Sequence, residues 1–285
     1  AQFLFLKWGR RRGLCVGSWG VVFIFEGRKL GALGADARGN CIRRGIIEVA
    51  IGGETGYLVR EMTASPLLET FPILSALPGL VHGFTLRSLE IDVVTEREEA
   101  LARLRPFFDE QLARAGIARE HLATGEQVHG GVLAGIDGEE PGTCHLAGTD
   151  GLFTATPGQF LGVYAADCAA ILIADPVRRA CAAVHSGAVG SVLGIAPAAI
   201  RAMGDNYGSV PADLIVQIAP CIRPPVYEMD FAATIASDCV EAGVPAAQVV
   251  DCGTCTTSDP SRYYSYRVEK GKTGRHFAFI GWNSL

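Results

Sequence analysis

The sequence predicts an α/β fold, and three observations support this prediction. Two apolar runs, residues 169–174 and 180–184, are too short and too uniformly apolar for a surface helix, so they are typical of buried strands. Between residues 95 and 116, Leu101, Leu104 and Phe108 recur at helical spacing. The 35 Gly and 14 Pro among 285 residues indicate many tight turns and favour short strands over a helical bundle.

The two apolar runs form the centre of the predicted fold. A turn at Asp175 and Pro176 separates them, which predicts that the two strands pair as a hairpin. This pairing would bring Cys168, which precedes the first strand, beside His185, which follows the second. A thiol beside an imidazole is either a functional site or an ordinary buried cysteine near a turn histidine, and the hairpin alone leaves both interpretations open.

The remaining elements are predicted in chain order. Thr95 is the expected N-cap of the 95–116 helix, and Pro106 is expected to kink or divide it. Residues 231–242 have the pattern of an amphipathic helix that ends at Gly243. The other predicted elements are a strand at residues 80–85, a helix that begins at residue 191 and resumes after Pro197, a strand at residues 213–219 and a final strand within residues 274–280.

Composition narrows the class of function. A formal net charge of −5 with scattered Lys and Arg argues against a nucleic-acid partner. No run approaches the roughly 18 apolar residues of a membrane span. Nine cysteines, an odd number without the spacing of a disulfide framework, suit a reducing compartment. We therefore expect a cytoplasmic enzyme that acts on small molecules, as a monomer or homodimer.

The first 58 residues differ in character from the rest. They are rich in glycine, and three consecutive arginines at residues 10–12 precede an apolar run that Gly17 and Gly20 interrupt. We interpret residues 1–58 as an extended or weakly structured leader outside the functional fold, and residues 59–285 as the catalytic domain. A twin-arginine export signal is the alternative for the leader.

Two groups of side chains suggest a metal site. Cys252 and Cys255 form a C-x-x-C pair, but a structural zinc site needs four ligands and the sequence has no second such pair. His129, Cys168 and His185 would instead supply two imidazoles and a thiolate, which suits a catalytic Zn²⁺ that keeps one position open. A separate residue, Asp150, could hold a histidine by its second ring nitrogen or cap a turn.

A set of short motifs, taken in order, resembles the YfiH or laccase-domain family, whose members are also called polyphenol oxidases or purine nucleoside phosphorylases. The resemblance covers roughly residues 66–282. The motifs are Gln127-Val128-His129-Gly130, Thr149-Asp150-Gly151, Ala166-Asp167-Cys168, Ala183-Val184-His185-Ser186-Gly187, residues 220–228, Tyr264-Ser265-Tyr266-Arg267 and Thr273-Gly274-Arg275.

The resemblance implies a four-layer α/β/β/α sandwich of the YfiH type, related to cytotoxic necrotizing factor cysteine hydrolases. It implies a zinc ion held by His129, Cys168 and His185, with copper as the other possible metal. The activity implied is phosphorolysis of adenosine, inosine and methylthioadenosine, with adenosine deamination as a further reaction. Nucleoside and phosphate are the partners that this activity requires.

One departure from the family affects phosphate binding. Where the family usually reads His-Ala-Gly-Trp-Arg-Gly, the loop after His185 carries Ala188 and Val189 in place of the Trp-Arg pair. Phosphate then loses a charge-assisted bidentate partner. Arg223 or Arg267 is our candidate for the replacement cation. The remaining candidates are Asp167 for catalysis and Tyr227 for substrate binding.

The leading hypothesis is therefore a zinc-dependent purine nucleoside phosphorylase. A second hypothesis is a metal-free cysteine hydrolase or amidase in which Cys168 is the nucleophile and His185 its base. A third is a homologue that binds a ligand without turning it over. A copper-dependent phenol oxidase is the least favoured.

Overall fold

The computed structural model describes residues 67–138 and 142–284, together with the backbone of five strands between residues 4 and 61. The chain divides into two units, Ala1–Pro66 and Leu67–Leu285. The strands of the first unit are β1 (Leu4–Lys7), β2 (Gly13–Val16), β3 (Val22–Phe25), β4 (Arg44–Ile51) and β5 (Glu54–Glu61). They pair antiparallel in the order β1-β2-β3-β5-β4. The proposed export signal at residues 10–12 lies outside the described residues, and the leader assignment stays a prediction.

The described residues of the second unit form twelve strands in two sheets. The strands are β6 (Leu68–Glu69), β7 (Leu80–Thr85), β8 (Leu122–Gly125), β9 (Leu133–Gly135), β10 (Cys144–Leu146), β11 (Gly151–Thr154), β12 (Phe160–Ala165), β13 (Ala169–Asp175), β14 (Ala180–Ser186), β15 (Ile215–Ile218), β16 (Val249–Asp251) and β17 (His276–Trp282). Sheet I has six strands in the order β10-β8-β12-β17-β7-β6, and sheet II has six in the order β16-β15-β13-β14-β11-β9. Both sheets contain parallel and antiparallel pairs.

Helices cover the outer faces of both sheets. The helices are α1 (Pro72–Ser75), α2 (Arg97–Arg114), α3 (Ala188–Val192), α4 (Ile195–Tyr207) and α5 (Phe231–Glu241), with short 3₁₀ turns at Arg119–His121, Pro211–Asp213 and Ala246–Gln248. Residues of α4 and α5 pack on sheet II, residues of α2 pack on sheet I, and a third cluster fills the space between the sheets. The layers therefore run α/β/β/α, which confirms the predicted α/β class. Among the described residues, no helix has the length and apolar character needed to cross a membrane.

The central hairpin shows why uniformly apolar strands fit this architecture. Successive side chains of a strand point to opposite faces. In β13, Ile171 and Ile173 therefore face the helices, whereas Leu172 packs between the sheets. Because both faces are covered, all seven residues of β13 are buried. Each large aliphatic side chain buried in this way contributes roughly 1.5–3 kcal/mol to folding.

Most predicted elements of the second unit are confirmed. The strands at residues 80–85 and 169–174 and the hairpin with residues 180–184 are present, as is the helix that ends before Gly243. The N-cap prediction was wrong: α2 is preceded by Glu96, which makes no side-chain capping bond. Pro106 does not divide α2, because buried side chains such as Leu104 and Phe108 hold the helix against sheet I.

The region after residue 187 also differs from the prediction. The helical segment begins at Ala188 and breaks at Gly194, which adopts a left-handed φ of 66° that glycine tolerates. Pro197 lies inside the first turn of α4 rather than before a new helix. A proline in that turn costs little, because the first N–H groups of a helix have no intrahelical acceptor.

Candidate metal centre

The hairpin brings two of the three predicted ligands together. Ala170 of β13 is opposite His185 of β14, so Cys168, two residues before Ala170, lies at the same end of the hairpin as His185. His185 is buried, with 3% of its surface exposed, and Cys168 is partly buried. The juxtaposition expected from the hairpin is thus confirmed.

The third predicted ligand, His129, is held by a strained loop. Gln127 and His129 both have a left-handed φ, of 60° and 62°. The Gln127 side chain fixes this loop to β12, because its amide donates to the Tyr164 carbonyl at 2.6 Å and its Oε1 accepts from the Tyr164 N–H at 2.7 Å. A left-handed conformation costs a non-glycine residue roughly 1–2 kcal/mol, so these bonds offset a real backbone cost.

Asp150 links the His129 loop to His185. Its Oδ1 accepts from the His129 N–H at 2.9 Å, its Oδ2 accepts from the Gly130 N–H at 2.7 Å, and Oδ1 also lies 3.0 Å from Nδ1 of His185. The sequence left two roles open for Asp150, and this carboxylate performs both. Since an ionised carboxylate only accepts, Nδ1 of His185 carries a proton, which leaves Nε2 as the ring nitrogen that would bind a metal.

The ligand atoms of His129, Cys168 and His185 all lie within 4.8 Å of one another. The two imidazole rings meet nearly edge to face, with centroids 4.8 Å apart. In the described part of the chain, this is the only group of three or more such side chains close enough to hold a metal ion. Two imidazoles and a thiolate with one ring already oriented by a carboxylate fit a transition-metal ion.

The electrostatics of the group favour the ligand form of the thiol. Burial alone would raise the pKa of Cys168, but hydrogen bonds with His129 and His185 lower that pKa to about 6. Burial would likewise lower the pKa of His185, but its hydrogen bonds with Asp150 and Cys168 raise it to about 9. The thiolate is the form of cysteine that binds metals.

Asp167, the residue before Cys168, has its carboxylate fully engaged. It has a left-handed φ of 80°. Its Oδ1 accepts from the Thr256 hydroxyl at 2.6 Å, while its Oδ2 accepts from the Ser265 hydroxyl at 3.1 Å and from the Arg267 N–H at 2.7 Å. These bonds fix the turn that presents Cys168. The geometry therefore favours a positioning role, and the catalytic role that we assigned to Asp167 stays a prediction.

The three candidate ligands open into a cavity of about 760 Å³. A volume of this size suits a small-molecule ligand. The cavity wall also includes three other predicted site residues, Asp167, Tyr227 and Arg267. Its apolar part includes Ala166, Ala188, Val189, Ile222, Tyr227 and Phe231.

Arg223, the other predicted phosphate contact, is not among the described residues that line this cavity. Its guanidinium forms a bidentate ion pair with Asp251, and its Nε donates to the Thr254 carbonyl at 3.2 Å. The structure therefore does not bring Arg223 into the group around Cys168. The C-x-x-C pair does not belong to the three-ligand group either, and the backbone of Cys255 forms an isolated parallel β-bridge with that of Cys221.

Sequence reasoning missed four of the cations that line the cavity, and two of these are arginines. Arg97 is the first residue of α2, and Arg275 immediately precedes β17. Arg275 belongs to the Thr273-Gly274-Arg275 motif, which was noted without a role for its side chain. Nothing in the local sequence distinguishes Arg97 from the other arginines of an amphipathic surface helix.

Comparison with known proteins agrees with this picture. A family model described as multi-copper polyphenol oxidoreductase laccase matches residues 92–233 and 226–283 of the chain. A protein of Deinococcus radiodurans named purine nucleoside phosphorylase is 30% identical over 247 residues, which cover 74% of this chain and 92% of that protein. Purine nucleoside phosphorylase YlmD of Bacillus subtilis is 29% identical over 165 residues, which are 48% of this chain but only 59% of that relative.

A solved structure supports the fold. The crystal structure of the hypothetical protein YfiH from Bacillus licheniformis superposes with a TM-score of 0.67, and the match covers 77% of this chain and 98% of that one. Sequence identity in this comparison is 22%. The similarity therefore concerns the arrangement of sheets and helices.

Proposed function

Since the chain belongs to the multi-copper polyphenol oxidoreductase laccase family, we propose that it is a zinc-dependent purine nucleoside phosphorylase acting on adenosine, inosine or methylthioadenosine. The observation that carries the proposal is the convergence of His129, Cys168 and His185 on a cavity that also contains arginine and lysine side chains. The names of the D. radiodurans and B. subtilis relatives support phosphorolysis. Nucleoside and phosphate are the proposed partners.

His129, Cys168 and His185 would hold the zinc ion. When bound, the metal supplies Lewis-acid chemistry to an oxygen of the substrate or of water. Zinc is the proposed metal because a catalytic Zn²⁺ takes three protein ligands, such as two imidazoles and a thiolate, and keeps a fourth position open.

The apolar part of the cavity is suited to the purine base. The Tyr227 and Phe231 rings lie 5.8 Å apart at an angle of 73°, and both line the cavity. Aromatic faces of this kind stack on planar ligands. The Arg267 guanidinium lies 4.8 Å from the centre of the Tyr227 ring, which joins the aromatic part of the cavity to its cationic part.

In phosphorolysis, a phosphate oxygen forms a bond to the ribose C1′ while the bond from C1′ to the base breaks. The chain must therefore hold phosphate and nucleoside side by side and stabilise the anionic charge. The cavity places cationic and aromatic side chains within one volume, as this reaction requires. Deamination of adenosine is the secondary activity in this proposal, and ammonia release in the absence of phosphate would measure it.

The test compares the wild-type chain with Cys168→Ala. We expect about one zinc per wild-type chain by plasma mass spectrometry, together with phosphate-dependent release of base from inosine or adenosine. Cys168→Ala should lose both, because one of three ligands is gone. A wild-type chain that retains activity after its metal has been removed would refute the proposed zinc dependence.

The cysteine hydrolase is the second candidate, and one contact favours it. Asp150 holds Nδ1 of His185 at 3.0 Å, so Cys168, His185 and Asp150 have the nucleophile, base and orienting residue of a hydrolytic triad. Alkylation separates the candidates. Iodoacetamide should modify Cys168 in metal-stripped protein but spare it in zinc-loaded protein, whereas an active, metal-free hydrolase would be alkylated and inactivated at once.

A further inference from the structure

The cavity beside the candidate metal centre contains more positive charge than its acids neutralise. Its lining includes the cations Arg97, Arg267, Lys270, Lys272 and Arg275. Only two of them approach a carboxylate among the described residues: Arg267 lies 3.6 Å from Glu228, and Lys272 lies 3.8 Å from Glu96. Arg97, Lys270 and Arg275 have no such ion pair in that part of the chain.

Arg275 is the most unusual of these cations. Only 8% of its surface is exposed, although charged side chains are almost never buried without a counter-charge. Its Nη1 donates to the carbonyls of Thr273 and Gly274, both at 2.9 Å, and its guanidinium lies 5.6 Å from the centre of the Tyr266 ring. These contacts orient the guanidinium, and none of them is an ion pair with a carboxylate.

The backbone before Arg275 is also closely packed. A Cβ atom at Gly274 would lie 2.5 Å from the Tyr264 ring, so only glycine fits there. This approach fixes the chain just before β17 and hence the position from which the Arg275 side chain enters the cavity. The arginine is therefore held in place rather than free to leave for solvent.

Arg97 is held in a similar way. Its Nη2 donates to the Glu126 carbonyl at 2.6 Å, which connects the start of α2 to the loop that carries His129. Burial, and next the like charge of Arg97, lower the pKa of Arg275, so the two guanidinium groups repel each other. Two oriented guanidinium groups, neither of which forms an ion pair with a carboxylate among the described residues, favour an anion bound between them.

We propose that Arg275 and Arg97 form the phosphate subsite of this cavity, with Lys270 contributing charge at its exposed mouth. The proposal rests on the proposed function and deepens it, because it names the groups that hold the co-substrate. Ala188 and Val189 line the same cavity without charge, so they cannot serve as this anion contact. Planar guanidinium groups match the oxygens of phosphate with paired N–H donors, which a single ammonium group cannot do.

Binding of inorganic phosphate tests the subsite without reference to turnover. Isothermal titration calorimetry would be carried out on the metal-loaded full chain, comparing wild type, Arg275→Gln and Arg97→Gln. Loss of a hydrogen bond to a charged group costs about 1.5–3 kcal/mol, so each variant should bind phosphate at least about tenfold more weakly. Arg114→Gln is the matched control, since Arg114 lies at the other end of α2 and pairs with Glu110.

Two further measurements keep the result interpretable. Metal content and melting temperature should be the same in all variants, which separates lost phosphate binding from lost structure. If Arg275→Gln does not fold, Arg275→Lys serves in its place, because lysine keeps the charge but loses the paired donors and should bind phosphate several-fold more weakly. A parallel titration with adenosine 5′-monophosphate distinguishes free phosphate from the phosphate group of a nucleotide.

The outcomes are distinct. Unchanged phosphate affinity in both Arg275→Gln and Arg97→Gln would overturn the subsite. Binding of the nucleotide but not of inorganic phosphate would also overturn it. Phosphate binding that depends on Arg275 in a chain that releases no base from any nucleoside would support the subsite and refute the proposed phosphorylase activity.

Discussion

Asp150 is the residue whose replacement tests the candidate metal centre most directly, and Asp150→Asn changes its charge with little change of shape. Asp150 accepts three hydrogen bonds: Oδ1 from the N–H of His129 and from Nδ1 of His185, and Oδ2 from the N–H of Gly130. An asparagine has one oxygen and one NH₂ group in these two positions. Its better orientation keeps the oxygen toward His129 and His185 and turns the NH₂ toward the Gly130 N–H, where two donors then face each other.

The expected magnitude follows from this geometry. The bond to Gly130 is lost and its donor is left without that acceptor, and the bond to His185 loses its charge assistance. Losing one charge-assisted bond costs about 1.5–3 kcal/mol, and removing the orienting partner of a ligand histidine typically weakens metal binding 10–100-fold. We therefore expect Asp150→Asn to bind zinc about 10–100-fold more weakly than wild type and to melt at a lower temperature.

Zinc affinity would be measured by competition with a chromophoric chelator, and stability by thermal melting of the metal-loaded and metal-stripped forms. Asp137→Asn is the matched control, since Asp137 is an exposed acid that accepts a hydrogen bond from the Tyr207 hydroxyl and does not line the cavity. Zinc affinity in Asp150→Asn equal to that of wild type would refute the reasoning, because it would mean that His185 does not need its carboxylate partner.

Three other substitutions or conditions give independent tests. A Cβ atom at Gly187 would lie 2.9 Å from Sγ of Cys168, so Gly187→Ala should lower the zinc content of the purified chain, and full zinc occupancy would contradict the proposed ligand set. Leu172→Ala should lower the free energy of unfolding by about 2–5 kcal/mol in urea titrations, because Leu172 is fully buried between the sheets. Burial lowers the pKa of His82 and His276 to about 4, from an ordinary value of 6.5, so the unfolded chain takes up protons first as the pH falls. The contribution of these two histidines to stability should therefore be fully present above about pH 7 and should fall by roughly 3 kcal/mol per histidine between pH 6.5 and 4. Urea midpoints of unfolding that do not change across that window would contradict this.

The hairpin was predictable because the residues that determine it are adjacent in the sequence. Residues 169–174 and 180–184 are apolar on both faces, and Asp175 with Pro176 allows only a short connection, so the pairing of β13 and β14 follows from adjacent sequence. The neighbouring positions of Cys168 and His185 follow in turn. The N-cap of α2 was not predictable in the same way, since Thr95 has the preferred residue type but the helix begins after Glu96.

The cationic part of the cavity could not be derived from sequence. Arg275 and Arg97 are far apart in the chain and lie at the starts of β17 and α2, one just before the strand and one at the first residue of the helix. The packing of these two elements depends on the whole of sheet I. Arg223 was a reasonable candidate by position, but sequence could not reveal that Asp251 would pair with it. Which arginine is free to bind an anion depends on where the acids are placed, and that is a property of the folded chain.

The candidate centre is organised by side chains that bind backbone. Gln127, His129 and Asp167 all have left-handed backbone conformations, each at a cost of roughly 1–2 kcal/mol. The carboxylates of Asp150 and Asp167 together accept six hydrogen bonds, three each, and such bonds to a charged group contribute about 1.5–3 kcal/mol apiece. The bonds therefore outweigh the strain, and the loops that present His129 and Cys168 are held in place before any ligand arrives. A preorganised group of ligand side chains binds a metal without a further cost for ordering the loops. The carboxylates of Asp150 and Asp167 therefore explain how loops, and not only strands, can supply candidate metal ligands at this centre.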